Sequence, residues 1–324
     1  MAIDKSVTEL PVLRLSLLGF TPAQEATIEA ALASVRTALR WRLVPLAQAD
    51  ALCANGARAV GLPDGSVHIG SAIPGAAPAR IDIGGSERPL AFCLPVAIRG
   101  IQPHTTFDIN SSASIRTMLE KFEGWLRPMA MQFCLASKII RDRVDVGSAV
   151  FHVSVNGRLQ AVVSRRNGIG VLPIADPLAL QSAVWARRPV TADDIPAHFV
   201  RTGLAEVMWL YAMRSTRDLL ASSFRSGPIY WCRAPQLPQR LFDDSHLMIV
   251  RELARAPATF SELSQRTRLK DAELSRALVA LCIVGSISNG KRRPALAAED
   301  SPYAGDDDLA HERTAPAPLA PQWT

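Results

Sequence analysis

The feature that most constrains this chain is a long apolar stripe near its middle. Ile115, Met118, Phe122, Trp125, Met129, Phe133, Ala136 and Ile140 recur in steps of three and four. Such spacing marks one face of a helix for more than three heptads. Ser111 and Ser112 are the candidate N-caps. Pro128 lacks a backbone donor, and its ring opposes the carbonyl of Gly124, so the helix is expected to kink or split there. A face of this length is covered either by the rest of the chain, as a core helix, or by a second copy, as a dimerisation helix.

Upstream, residues 1–100 read as a small α/β domain. Val12 to Leu18 suits a buried strand. Thr21-Pro22, with Glu25 a turn later, opens a helix near 23–39. Trp41 to Leu46 follows as a strand and Ala47 to Ala54 as a short helix. Asn55-Gly56 and Pro63-Asp64-Gly65 are turns, and Val67–Ile69, Arg80–Ile83 and Leu90–Val96 are further strands. Strands alternating with helices imply a parallel sheet. This order resembles a response-regulator receiver domain. Gly19-Phe20-Thr21 stands where that family carries its acidic pair, Asp82 is the loose candidate for the phosphoacceptor, and Leu94-Pro95 replaces a Lys-Pro. The resemblance therefore implies a degenerate receiver, a binding or dimerisation module without phosphotransfer.

Residues 101–240 read as mainly helical with a small β-meander. Val150–Val155 and Leu159–Val163 flank Asn156-Gly157, a pair suited to a type I′ turn. A second turn at Arg165-Arg166-Asn167-Gly168 leads to Ile169–Ile174. Asp176-Pro177 is expected to open a helix through Trp185, Thr191–Asp194 to cap another, and Gly203–Phe224 to form a third.

Residues 241–293 have the clearest layout. Asp243-Asp244 precede one helix, and Thr259-Phe260-Ser261-Glu262 is a capping box opening a second. Asp271–Val284 is the third, stopped by Gly285 and followed by a short strand, Ser286 to Ser288, and an Asn289-Gly290 turn. This arrangement resembles winged helix-turn-helix regulators. The resemblance implies nucleic-acid contacts from Lys270, Ser275 and Arg276 on the third helix, and phosphate contacts from Lys291, Arg292 and Arg293 on the wing. Asp271, Glu273 and the apolar run Ala277–Val284 suit packing better than a DNA groove, so duplex DNA and a signalling-protein partner both stay open as outputs. Residues 294–324, rich in Pro, Ala and acid, read as a disordered tail.

Charge separates tail from body. From Pro294 onward there are six acidic residues and one basic one, which leaves 35 basic and 24 acidic residues elsewhere, a net of +11. A basic body suits an anionic partner: nucleic acid, nucleotide or acidic protein. No signal-peptide pattern and no uninterrupted apolar run of membrane-spanning length appears, and the five cysteines are scattered, as expected of reduced thiols in a cytoplasmic protein. Gly285-Ser286-Ile287-Ser288-Asn289-Gly290-Lys291 imitates a phosphate loop, but Arg292 stands where Ser or Thr must ligate Mg²⁺. Gly168-Ile169-Gly170 imitates a dinucleotide loop but meets Pro173 at the third glycine position. No serine elbow and no histidine pair is present, and Asp193-Asp194 and Asp243-Asp244 suit helix caps. The expectation is a non-catalytic cytoplasmic regulatory protein, homodimeric, without cofactor or metal. Its output would be DNA binding, or else docking on a protein or binding a nucleotide second messenger.

Overall fold

The computed structural model describes residues 8–75, 77–82, 88–96 and 105–290. Lys291, Arg292, Arg293 and the acidic tail lie outside the described residues.

The N-terminal unit opens with β1 (Val12–Leu18), α1 (Pro22–Ser34), β2 (Arg40–Leu43) and β3 (Ala51–Asn55). Thr21 and Gln24 close a reciprocal capping box at the start of α1. The helix stops short of its expected end. Beyond it, the Glu123 carboxylate accepts the Ala38 and Leu39 N–H groups (3.3 and 3.1 Å) and the Trp41 indole N–H (3.3 Å), drawing the chain into β2. The expected helix at 47–54 is a single 3-10 turn followed by β3. All five residues of β3 are buried, and burial on both sheet faces overrides the helical preference of alanine and leucine.

After β3 the chain forms β4 (Ala59–Gly61), β5 (Ser66–Ile69) and β6 (Ala79–Asp82), a small antiparallel sheet, then β7 (Leu90–Cys93) and β8 (Thr106–Phe107). The main sheet is parallel, in the order β2-β1-β3-β7-β8. In chain sequence that is 2-1-3-4-5, the order of a doubly wound sheet. One face packs Leu15, Ala51, Cys53, Ala91 and Phe107 against α1 and the following helix; the other packs Leu18, Leu52, Ala54 and Phe92 against the small sheet. Asp82 thus ends a strand of the small sheet. The residue that ends central strand β3 is Asn55, whose carboxamide donates to the Gly19 carbonyl at 3.1 Å.

The apolar stripe forms one unbroken helix, α2 (Ser112–Asp142), with Pro128 inside it. No split occurs, because Gly124 is exposed with open space beside it and its carbonyl can bond to water. The buried face widens along the helix. Ile115, Met118, Leu119 and Phe122 pack on the parallel sheet, Trp125 is half exposed, and every residue from Ala130 to Ser137 is buried. The second half runs between the Leu13 side of the parallel sheet and a second, antiparallel sheet. The chain itself covers the stripe, so no second copy is needed to bury it.

That second sheet holds five strands, not three: β9 (Val150–Val155), β10 (Arg158–Ser164), β11 (Gly168–Val171), β12 (Val184–Arg188) and β13 (Val200–Thr202), in the order β12-β9-β10-β11-β13. Asn156 (φ 50°) and Gly157 (φ 75°) make the expected hairpin turn. The helix expected from Pro177 to Trp185 is a 3-10 segment to Ser182 followed by β12, which completes a sheet edge against β9. Thr191–Asp194 caps no helix. A Cβ added at Gly170 would stand 2.2 Å from Cγ2 of buried Ile195. Gly170→Ala is therefore expected to lose about 1–3 kcal/mol of stability in chemical denaturation; an unchanged midpoint would mean that Ile195 repacks freely.

The helix expected over 203–224 is two: α3 (Leu204–Arg214) and α4 (Ser222–Ser226). Side chains capture the intervening backbone. Glu9 accepts the Thr216 N–H (2.8 Å), Ser215 Oγ accepts that of Arg217 (3.1 Å), and Asp218 accepts that of Leu220 (3.2 Å). The rest is β14 (Tyr230–Trp231), α5 (Asp244–Arg255), α6 (Phe260–Thr267), α7 (Asp271–Ile283) and β15 (Ile287–Ser288). The three helices stand where the sequence puts them, with the Thr259–Glu262 capping box formed. The strand that pairs with β15 is β14, from the chain preceding α5, and Ile229 bridges to Ala258.

Candidate functional site

Ser215-Thr216-Arg217-Asp218, the segment that separates α3 from α4, forms one wall of a cleft of about 300 Å³. The facing wall is α7, through Asp271, Ala272, Ser275, Arg276 and Val279, and Arg225 of α4 closes one end. Ala212, Leu219 and Val279 give it an apolar floor.

Its polar groups divide into those already paired and those left over. Asp218 accepts from Ser275 Oγ (3.0 Å) and Arg225 (2.6 Å). Burial disfavours the ionised form of Asp218, but the Leu220 N–H, Ser275 and Arg225 outweigh it and hold this carboxyl below its usual range. Arg225 also lies 5.1 Å over the Phe260 ring. Arg217 leans on Glu9 at 3.6 Å, and Glu9 further accepts from the Tyr211 and Ser215 hydroxyls at 3.0 and 2.8 Å. Arg276 is exposed on α7 and has no carboxylate partner among the described residues.

Beside the cleft lies a second charged group. The Asp50 carboxylate, buried just before β3, pairs with Arg214 at the end of α3 and accepts the Arg14 N–H at 3.0 Å. Arg14 and Arg42 are register partners in the β1–β2 pair. The Arg14 pKa is lowered to about 10, by burial first and then by the Arg214 charge, with Asp50 opposing the shift.

Of the six residues the sequence singled out, Ser275 and Arg276 come together in this cleft. Ser275 is buried, its hydroxyl spent between Asp218 and Arg225 (3.3 Å). Lys270 is exposed at the N-cap of α7 and makes no capping bond. Arg14, Arg42, Asp50, Arg214, Arg217 and Arg225 were missed, since they are scattered along the chain and converge only by packing. The one local clue was the turn-forming run Ser215–Asp218 inside a presumed helix.

Among the described residues, no group of three or more His, Cys, Asp or Glu side chains could hold a metal ion. Burial pushes the Cys53 thiol well up and that of Cys134 to about 12, so both stay protonated at neutral pH. No helix among the described residues is long and apolar enough to cross a membrane. No protein-family model, curated protein or solved structure matches the chain.

Proposed function

We propose that this chain is a non-catalytic regulatory protein of the cytoplasm, one that binds a ligand or partner and does not read DNA through its third C-terminal helix. In this reading residues 1–100 are a pseudo-receiver, and α5–α7 with β14 and β15 are a winged-helix-like module held against the body. The observation that carries it is the burial of α7. Leu274, Ala277, Leu278 and Leu281 are buried, and α7 packs along α3. A reading helix needs a free face of several side chains in the major groove. Here that face is reduced to Lys270, Asp271, Ala272 and Arg276, one of them acidic.

A fluorescence-anisotropy titration of the full chain against mixed duplex DNA, at low and physiological salt, tests this. The expected result is no binding that depends on Lys270 or Arg276. Steeply salt-dependent binding that Lys270→Glu and Arg276→Glu abolish would overturn the reading in favour of a DNA reader.

A further inference from the structure

We propose that the pocket between the last turns of α2, the chain around α4, and α7 binds a small carboxylic acid with an apolar body, its carboxylate held by Arg143. The inference names a ligand for the regulatory reading. It rests on that reading for the ligand's role as a signal, but not for its binding.

The pocket measures about 300 Å³. Ile139 and Ile140 of α2 form one wall, Leu219 and Phe224 a second, and Val279 and Ile283 of α7 a third. It lies on a seam. Ile139 belongs to the core beneath the antiparallel sheet, Phe224 and Val279 belong to the core of α5–α7, and Leu219 packs against both. Burial holds the Cys282 thiol protonated, so it joins the lining as a small apolar group. An apolar recess between packed units, with few polar groups, is the usual form of a small-molecule site.

The one charged group in the lining is Arg143. It caps α2 in the left-handed conformation (φ 51°, ψ 45°), a position that glycine or asparagine fills most often. Its N–H donates to the carbonyls of Ile139 and Ile140. The backbone that carries the guanidinium is thus pinned to the turn that supplies the apolar wall. Arg143 is exposed and forms no ion pair among the described residues. The acid next to it in the chain, Asp142, is held by Lys138 and Arg141 at 2.6 and 2.7 Å. An uncommitted guanidinium fork at the edge of an apolar pocket matches a carboxylate. A single cation suits a monoanion better than a polyphosphate. At the volume of a liquid water molecule, about 30 Å³ for each non-hydrogen atom, the space holds about ten such atoms. Octanoate is an acid of that size.

The test is calorimetric titration of the full chain with octanoate, octan-1-ol and acetate. Octanoate is expected to bind saturably below about 1 mM, octan-1-ol about tenfold or more weakly, and acetate not at all. Arg143→Met should weaken octanoate about tenfold or more and leave octan-1-ol unchanged. Ala221 is exposed where it lines the pocket, so Ala221→Phe fills the space from outside the core and should abolish both. Arg116→Ala, at the other end of α2, should change neither. No saturable octanoate binding below about 1 mM, or binding that Ala221→Phe leaves intact, overturns the site. Equal affinity for octanoate and octan-1-ol, or octanoate binding indifferent to Arg143→Met, overturns the carboxylate and assigns the pocket to neutral apolar molecules. Octanoate binding in a chain that also binds DNA through Arg276 would remove the regulatory reading above and leave this site standing. Absence of both removes this site alone.

Discussion

Asp50→Ala is expected to destabilise the protein by about 3–5 kcal/mol, because it leaves buried cations without their counter-ion. The Asp50 side chain is only 3% exposed and that of Arg214 14%. Neither reaches bulk water easily, so solvent cannot replace the lost partner. The Arg14 N–H loses its acceptor as well. The effect is amplified by partly buried Arg14, which would then bear the Arg214 charge without the opposing charge of Asp50. Asp50→Asn keeps the shape and an acceptor for the Arg14 N–H, so it isolates the charge and should recover part of the loss. Chemical denaturation of the two variants measures both quantities. A cost below about 1 kcal/mol for Asp50→Ala would place this pair in the range of screened surface bridges and remove the basis for treating the junction as interior.

The same junction shows why parts of this molecule were legible in sequence and parts were not. Signals that act over three or four residues translated directly: the Thr21 cap, the Asn156-Gly157 turn and the Thr259–Glu262 capping box. Each is a reciprocal hydrogen bond or a permitted positive φ, complete within one turn of chain. Misreadings occurred where distant partners decide. Ala51–Asn55 and Val184–Arg188 are strands only because β1 and β9 lie beside them. The break after Arg214 needs Glu9, some 200 residues away, to take the Thr216 N–H (3.0 Å from its hydroxyl, 2.8 Å from its nitrogen). The candidate site belongs to this second kind. Ser275 and Arg276 were found through a helix pattern, but Ser275 turned out to face inward, and Asp50 finds its Arg214 partner 164 residues along the chain.

Trp209→Ala is the other substitution expected to cost most, about 3–5 kcal/mol, and it is expected to act unevenly. The α3 helix is a shared wall. Val207 and Tyr211 belong to the core beneath the antiparallel sheet, whereas Trp209 and Ala212 belong to the core of α5–α7. The Trp209 ring lies 5.2 Å from Phe242 and 4.7 Å from His246, and its indole N–H donates to the Leu241 carbonyl at 3.2 Å. Truncation removes that bond and opens a cavity on the C-terminal side alone. Amide exchange should therefore quicken most in α5 and α7, while α2 and the β9–β10 pair, packed on the other face of α3, keep most of their protection. Equal loosening everywhere would instead mean that the two cores unfold as one unit. The distinction reaches the cleft. Its walls are Ser215–Asp218 and α7, so a C-terminal module that loosens separately would draw Ser275 away from the Asp218 carboxylate that now accepts from it.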